Sequence, residues 1–315
     1  MTSYVIWRHG AGFFSMMASI LGRLHIAEEL RVTPYIDLET HPNPYQEEKP
    51  FRGTANVWEY YFEPVSTLER STALRENVHA PGGEHPAGIP YSMNKSPVFP
   101  EMWARYVTIN EHAAVDLQNL GPPPPLAKTT LGVHFRGQEM RRAAGHRLPP
   151  TTGQMVGASK SLLDAHEFDH VYLATEGRQY VPAFRRAFGH RLIVSPAFRK
   201  RWKNSYTLST PPRPAHRYML GLEALHDALT LGSCGGLLGS GSNLSDAAEM
   251  FGSQNHRFVG RISNGLNYRS KGLRHVNWLG RAVLPQAAGG FAHWSQAVVV
   301  KKGALPQGSE QEAGH

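Results

Sequence analysis

The 315-residue sequence has a single cysteine, no long apolar run and no excess of acidic residues. With Cys234 alone, no disulfide can form within the chain, and a reducing compartment is expected. The longest apolar stretch, FFSMMASIL at 13–21, contains two serines and is far too short to cross a membrane. The basic start, apolar core and cleavage site of a secretory signal are also missing. We therefore expect a cytoplasmic protein without a membrane span.

Basic residues outnumber acidic ones, 33 Lys or Arg against 25 Asp or Glu, for a net charge of +8. This balance favours an anionic partner such as a nucleic acid, a membrane surface or a phosphorylated small molecule. The arginines are scattered and do not form a run with interleaved aromatics, so we expect no nucleic-acid interface. At this length, the 41% hydrophobic content is enough for two globular domains.

The first half of the chain opens with the pattern of a βαβ unit. A strand is predicted at Tyr4–Trp7, a helix at Phe13–Leu30 and a second strand at Pro34–Asp37. Residues Met102–Leu120 have helical spacing. The proline run that follows, GPPPPL at 121–126, cannot continue a helix and predicts a stiff connection between domains.

The second half repeats the alternation of strands and helices. The predicted elements are, in order, a strand at Leu131–Phe135, a helix at Thr152–His166, a strand at Val171–Ala174, a helix at Tyr180–Phe188, a strand at Arg191–Val194, a helix at Gly221–Leu231, a strand at Gly236–Leu238 and a helix at Leu244–Met250. This order predicts a parallel sheet with helices on both faces. We predict Rossmann-like domains at 1–127 and 128–302 and a disordered tail at 303–315.

Residues at the carboxyl ends of the strands are the first candidates for chemistry, because ligands of open α/β sheets bind there. Arg136 directly follows a predicted strand, and Gly137 would let the backbone turn sharply. A guanidinium in this position can hold a phosphate or carboxylate with two hydrogen bonds. The alternative is an ion pair with Glu139 or another carboxylate.

Two further strand ends carry polar residues. Glu176 could accept a hydrogen bond from a ribose hydroxyl or a base edge, or could cap the following helix. The stretch GSGSNLS at 239–245 precedes a predicted helix, and its hydroxyl and N–H groups could bind an anion or form a plain capped loop. Arg136 and this loop should converge on one side of the sheet.

Two motifs resemble known sites but lack part of what those sites require. Gly10-Ala-Gly12 with Asp37 resembles part of a dinucleotide fingerprint, but Ser15 stands where the third glycine belongs. The sequence HEFDH at 166–170 matches the HExxH zinc pattern, but a strand begins directly after it, so the two histidines should not share a helical face. We expect no metal site and no nicotinamide site.

Two other features favour a structural role over a functional one. Cys234 precedes a buried strand and should pack as a small apolar side chain. The aromatic stretch Asn56–Pro64 should be part of the core, although aromatics beside a cleft could also stack on a sugar ring.

Three motifs in order resemble the GDP-fucose-dependent fucosyltransferase superfamily, in particular the nodulation and core N-glycan α-1,6-fucosyltransferases and their bacterial relatives. The motifs are HFRG at 134–137, VYLATE at 171–176, and EALHDALTL at 223–231 leading to GSNLS at 241–245. The resemblance covers about residues 130–252. It implies a GT-B fold of two Rossmann-like domains facing across a cleft, inversion at the anomeric carbon and no required metal.

The resemblance also implies roles for individual residues. Arg136 would hold the β-phosphate of GDP, Asp227 matches an aspartate that contacts guanosine, and Ser242 and Asn243 match a polar pair that meets the phosphates. The predicted donor-binding residues are His134, Gly137, Glu176, Asp227, Ser242 and Asn243.

The chain departs from the superfamily beside the arginine, where Gln138 and Glu139 replace a frequent threonine and aspartate. Ala143 and Ala144 occupy the place of a carboxylate proposed as the base in some relatives. Arg136 and, as the nearest carboxylate, Glu139 are therefore the predicted catalytic residues. The resemblance implies transfer of fucose from GDP-fucose to a glycan or other hydroxyl acceptor. A different nucleotide sugar, or a non-catalytic nucleotide- or polyanion-binding protein, is the alternative.

Overall fold

The computed structural model describes residues 2–7, 10–78, 93, 95–121, 127–137, 141, 146–199, 212–268, 270–285, 288, 290–291 and 298–300. The strands are β1 (Ser3–Ile6), β2 (Thr33–Ile36), β3 (Thr130–Phe135), β4 (His170–Thr175), β5 (Leu192–Val194), β6 (Gly236–Gly239), β7 (Phe258–Arg261) and β8 (Val298–Val300). The α-helices are α1 (Phe13–Glu29), α2 (Arg70–Arg75), α3 (Val98–Tyr106), α4 (Glu111–Leu120), α5 (Thr152–His166), α6 (Val181–Phe188), α7 (His216–Ser233), α8 (Asn243–Phe251) and α9 (Lys271–Val283).

Strands β1 and β2 pair in parallel, with Val5 opposite Tyr35 in the register. Helix α1 connects them, and most of its apolar side chains are buried in the core of the first half. The βαβ unit predicted from the sequence is therefore confirmed, with bounds that differ by about one residue.

The second half contains a six-stranded sheet in the order β5-β4-β3-β6-β7-β8. The first five strands in this order, β5, β4, β3, β6 and β7, are parallel to one another, and β8 pairs with β7 in the antiparallel sense. The chain builds β4 and β5 on one side of β3 and then returns to build β6 and β7 on the other. This reversal opens a crevice at the carboxyl ends of β3 and β6, where ligands of such sheets bind.

Side chains of successive residues in the central strands pack on opposite faces of the sheet. Val133 and Leu173 contact α5 and α6 residues in one cluster, whereas Tyr172 and Leu237 pack with residues of α7 and α8 in another. Helices therefore cover both faces, as the alternation of elements predicted. Cys234 is fully buried in the second cluster, and burial raises the pKa of its thiol to about 12, which confirms its packing role.

The two halves of the chain share a core through α7. The Tyr61 and Tyr218 rings stack with their centroids 5.3 Å apart, and the Tyr61 hydroxyl donates to the Tyr218 carbonyl at 2.8 Å. Several α7 and α8 side chains belong to the same cluster as those of α1. The aromatic stretch 56–64 is buried in this core, so the sugar-stacking alternative is wrong.

One predicted helix is two helices. Met102–Leu120 was expected to be continuous, but α3 ends at Tyr106 and α4 begins at Glu111. The intervening Val-Thr-Ile run is β-branched and disfavours a helix, and the Asn110 Oδ1 caps α4 by accepting from the Ala113 N–H at 2.9 Å. Ile109 instead forms an antiparallel bridge with Phe62.

Strand β7, helix α9 and strand β8 were not predicted from the sequence. The predicted linker prolines at 122–125 and the predicted tail at 303–315 lie outside the described residues. Among the helices that the structure describes, none combines the length and hydropathy needed to cross a bilayer.

Candidate functional site

A cavity of about 400 Å³ lies at the carboxyl ends of β3, β4 and β6. Residues from both halves of the chain line it. Six of the eight residues predicted from the sequence are among them: His134, Arg136, Glu176, Asp227, Ser242 and Asn243. The prediction that Arg136 and the loop after β6 lie on one side of the sheet is confirmed.

The backbone around Arg136 is attached to the end of β6. The Arg136 N–H donates to the Ser240 Oγ at 3.1 Å, and that hydroxyl in turn lies 3.4 Å from the His134 carbonyl oxygen. The Arg136 side chain is half-buried, and the backbone from which it leaves β3 is fixed by these contacts with Ser240. This arrangement presents its guanidinium to the cavity with little freedom of the main chain.

Of the two remaining predicted residues, Gly137 is not among those that line the cavity. Gly137 is buried, and a Cβ on it would approach the Tyr180 Cζ at 2.9 Å. Gly137 is not among the glycines with a positive φ, so the close approach of Tyr180 is what requires a glycine here. Glu139 lies outside the described residues.

The loop after β6 is both a capped helix start and part of the cavity wall. The Ser242 N–H donates to the Ser245 Oγ at 2.9 Å, and the Ser245 N–H donates to the Ser242 Oγ at 3.4 Å. This capping box begins α8 at Asn243. Because Ser242 and Asn243 line the cavity, the positive end of the α8 dipole faces it. An anion in the cavity would be stabilised there.

The buried His134 connects β3 to this helix start. Its Nδ1 lies 3.2 Å from the Ser242 Oγ. Burial, together with the positive charge of Arg136, lowers the pKa of His134 to about 4. At neutral pH the imidazole is therefore uncharged, and Arg136 is the charged group of this pair.

We expect His134 to make the fold sensitive to acid. Its pKa is about 4 in the folded protein against 6.5 when unperturbed, so the unfolded chain binds the proton more readily and stability is lost as the pH falls from 6.5 through 4. The His134→Asn variant lacks this group, and the wild-type free energy of unfolding should fall by about 3 kcal/mol more than that of the variant over this range. Urea titrations at several pH values measure the difference.

His112→Asn is the matched control, because His112 is exposed on α4. This variant should keep the wild-type pH dependence. If His134→Asn lost stability in acid as steeply as the wild type, the buried imidazole would not be the responsible group.

Asp227, on α7, also lines the cavity. The Tyr172 and Ser195 hydroxyls both donate to its Oδ1, at 2.9 Å and 2.5 Å. Neither hydrogen bond uses Oδ2. A carboxylate held in this way can accept from the N–H groups of a bound base.

Glu176 lines the cavity and does not cap a helix. The short 3₁₀ helix that follows it, Arg178–Tyr180, begins after Gly177 and has no side-chain cap, and α6 likewise begins without one. The capping alternative is therefore wrong. Thr175, just before Glu176, donates from its Oγ1 to the Phe135 carbonyl at 2.7 Å and ties the ends of β4 and β3 together.

The sequence analysis missed two parts of the cavity wall. Glu223 lies one turn before Asp227 on α7 and pairs with Arg213, whose NH1 is 2.6 Å from its Oε1. Spacing of four residues on a helix could have indicated this pair of carboxylates. The first turn of α1, at Gly12–Ser15, also lines the cavity. The sequence analysis noted Gly12 and Ser15 only as an incomplete dinucleotide fingerprint, because no local signal places them beside strand ends of the other half of the chain.

Asp37 and the two histidines of the HExxH pattern are not among the residues that line the cavity. The Asp37 carboxylate accepts from the backbone N–H groups of Glu39 and Thr40 at 3.0 Å and 3.1 Å, so it organises a turn. Helix α5 ends at His166 and His170 begins β4, so the two histidines of the HExxH pattern do not share a helical face, as predicted. Within the described ranges, no group of three or more His, Cys, Asp or Glu side chains could hold a metal ion.

Solved structures with the same fold include three of a bacterial enzyme. NodZ alpha-1,6-fucosyltransferase soaked with GDP-fucose has 12% identity and a TM-score of 0.54, over 84% of this chain and 98% of that one. The fold is similar to that of NodZ. The form co-crystallised with GDP has 14% identity and a TM-score of 0.54, and NodZ from Bradyrhizobium has 13% and 0.53, each over 84% of this chain and 97% of the other.

At this level of identity the similarity to NodZ concerns the fold. It confirms an α/β protein with parallel sheets of the kind that the sequence motifs predicted. No protein-family model matches the chain, and no curated protein matches its sequence.

Proposed function

We propose that this chain is an inverting, metal-independent glycosyltransferase that transfers fucose from GDP-fucose to a glycan or other hydroxyl acceptor. The observation that carries the proposal is the meeting of Arg136, the α8 N-terminus and Asp227 around one cavity, in a fold similar to that of NodZ. A GT-B arrangement of two Rossmann-like domains and a cytoplasmic location are part of the proposal.

The groups that line the cavity suit the two parts of GDP. Asp227, with its Oδ1 fixed by Tyr172 and Ser195, is suited to accept from the donor edge of guanine. Arg136 and the α8 N-terminus supply the positive charge that the diphosphate would bind. Glu176 follows β4, next to Arg136, and can accept from a sugar hydroxyl.

Cleavage of the donor places negative charge on the diphosphate. As the bond between the anomeric carbon and the β-phosphate oxygen breaks, its electron pair stays with GDP. A guanidinium and helix N–H groups already in place stabilise this charge more in the transition state than in the ground state. In this proposal they take the role that a metal ion has in other nucleotide-sugar transferases.

Inversion requires an acceptor oxygen to attack the anomeric carbon from the opposite side while a base takes its proton. Two carboxylates of the cavity are already engaged, since Asp227 accepts from two hydroxyls and Glu223 pairs with Arg213. In this proposal Glu176 binds a sugar hydroxyl, and Glu139, the carboxylate nearest to Arg136 in the sequence, is the base.

Thermal unfolding in the presence of nucleotides tests the proposal directly. GDP and GDP-fucose should stabilise the protein, with and without EDTA, whereas UDP, ADP and NAD should not. A ligand at about one hundred times its dissociation constant adds roughly 2.7 kcal/mol, which such a measurement detects easily.

The other outcomes separate the alternatives. Stabilisation by UDP instead of GDP would point to a different nucleotide sugar. Stabilisation by GDP-fucose with no release of GDP in the presence of candidate acceptors would support a non-catalytic binding protein. Loss of stabilisation in EDTA, restored by Mn²⁺, would contradict a metal-independent site.

A further inference from the structure

Helix α9 has apolar residues on two opposite faces. Its inner face carries Trp278, which packs with Leu148 and Phe291 and donates from its Nε1 to the Pro149 carbonyl at 2.8 Å. Asn277 is also fixed, since its Nδ2 donates to the Asn267 Oδ1 at 3.2 Å. These contacts orient the helix on the body of the protein.

The opposite face of α9 is an exposed apolar stripe. Its members are spaced three or four residues apart and are the most exposed large apolar residues of the described helices: Leu273 (59%), Val276 (65%), Leu279 (61%) and Val283 (76%). Leu266 and Tyr268, in the loop that contacts α9 through Asn267, are exposed as well. Single exposed apolar residues are ordinary, but a continuous helical stripe normally marks a binding surface.

The charge of the chain is concentrated in the same segment. Residues 250–309 contain eight Lys or Arg and no Asp or Glu, so they account for the entire net charge of +8 and the rest of the chain is neutral. Three of these basic residues, Lys271, Arg274 and Arg281, belong to α9 itself. Arg261 is paired with Asp246 and Glu249, so the charge that accompanies the apolar stripe is that of α9 itself, which has basic and no acidic residues.

We propose that α9 docks on the surface of an anionic lipid membrane, with its apolar stripe inserted between the headgroups. A helix with an exposed apolar face and only basic charges is the type that lies in the membrane interface. Acidic lipids attract the Lys and Arg side chains, and the apolar side chains leave water. Helix α9 has 13 residues and is about 20 Å long, which suits lying in the interface and not spanning it.

Two other occupants fit the observations less well. A second copy of the chain would bring two segments of the same strong positive charge together, which repel each other. A nucleic acid would account for the basic charge, but its phosphates offer nothing to cover four exposed aliphatic side chains. The combination of charge and apolar surface is what a lipid headgroup region provides.

Helix α9, which carries the apolar stripe, is connected to the cavity by a short segment of chain. His146 lines the cavity, and its carbonyl accepts from the Asn267 N–H at 2.7 Å. Two residues later, Leu148 packs against Trp278 and donates its N–H to the Gly265 carbonyl at 2.8 Å. A membrane under α9 would therefore lie beside the cavity. This proposal does not depend on which reaction the cavity catalyses.

Vesicle co-sedimentation of the full-length chain tests it. Wild-type protein is mixed with phosphatidylcholine vesicles and with vesicles in which about one third of the lipid is phosphatidylglycerol. The double variant Leu279→Gln, Val283→Gln removes half of the stripe, and Leu74→Gln, Val115→Gln changes two comparably exposed residues on α2 and α4 as a control. Melting curves show that all three proteins are folded.

The wild type should bind the anionic vesicles, and binding should weaken in high salt. The stripe variant should bind at least about tenfold more weakly, because two buried apolar side chains are lost from the interface, while the control binds like the wild type. GDP stabilisation should be the same in all three, which separates this result from any failure of the proposed function.

Several outcomes would overturn the proposal. Equal binding by the stripe variant would mean that charge alone acts, and absence of binding by the wild type would exclude lipid docking. If light scattering showed a dimer that the stripe variant dissociates, a second copy would be the occupant. Binding to duplex DNA instead of vesicles, unchanged in the stripe variant, would assign the basic segment to nucleic acid.

Discussion

Replacing Arg136 with alanine should lower the turnover of GDP-fucose by a factor on the order of one hundred or more while leaving the fold intact. The guanidinium is the charged side chain that follows β3 into the cavity, beside a His134 that is neutral at pH 7. Loss of one preorganised donor to a developing charge typically has an effect of this size. Steady-state kinetics with GDP release as the readout measure it.

Two further variants make the Arg136 result specific. Arg136→Lys keeps the charge but loses the planar pair of donors, so its turnover should fall between those of the wild type and Arg136→Ala. Arg185→Ala removes an exposed arginine on α6 and should have no effect on turnover. Near-normal turnover of Arg136→Ala, at an unchanged melting temperature, would show that this arginine does not hold the leaving diphosphate.

Gly221→Ala should destabilise the protein by about 1–3 kcal/mol, although alanine is the better helix former. Gly221 lies in α7, and a Cβ there would approach the Tyr61 Cζ at 2.6 Å and the Phe13 ring at 3.1 Å. Both neighbours are fully packed aromatics of the first half of the chain, so neither can move without opening the shared core. Thermal or urea unfolding measures the change.

The control for Gly221 is a glycine in a comparable helix with open space around it. A Cβ added to Gly157 in α5 would meet no other part of the protein within 4 Å beyond its own helix. Gly157→Ala should therefore be neutral or stabilising by up to about 1 kcal/mol. Adding Tyr61→Phe to Gly221→Ala should recover part of the loss by removing the hydroxyl that the new methyl group meets. Equal stability of the Gly221→Ala and Gly157→Ala variants would contradict the packing of α7 on the first half.

Much of the C-terminal half could be predicted from the sequence because its signals are local. The apolar runs, the turn residues and the start of α8 at Ser242 lie within a few residues of one another. The sequence also predicted that Arg136 and the 239–245 loop form one anion site, because the carboxyl ends of parallel strands meet at one edge of the sheet.

The break between α3 and α4 was missed because tertiary pairing of Ile109 with Phe62 overrode the helical spacing.

The role of Gly137 shows the limit of local reasoning. The sequence analysis named this glycine for a turn and for donor binding, whereas the structure shows that a larger side chain would not fit there. Its small size matters because Tyr180, more than forty residues later, packs over it. No spacing rule indicates that contact.

By itself, the sequence determined the order of strands and helices, the residues at the strand ends and the concentration of positive charge in residues 250–309. Only the tertiary structure decided that α1 and α7 complete the cavity, that Tyr172 and Ser195 hold Asp227, and that one apolar face of α9 remains uncovered. The physical reason is the range of the interactions. Turn and capping preferences and side-chain periodicity act within a few residues. Burial and the hydrogen bonds between separate elements depend on which distant segments meet, and that is settled by packing of the whole chain.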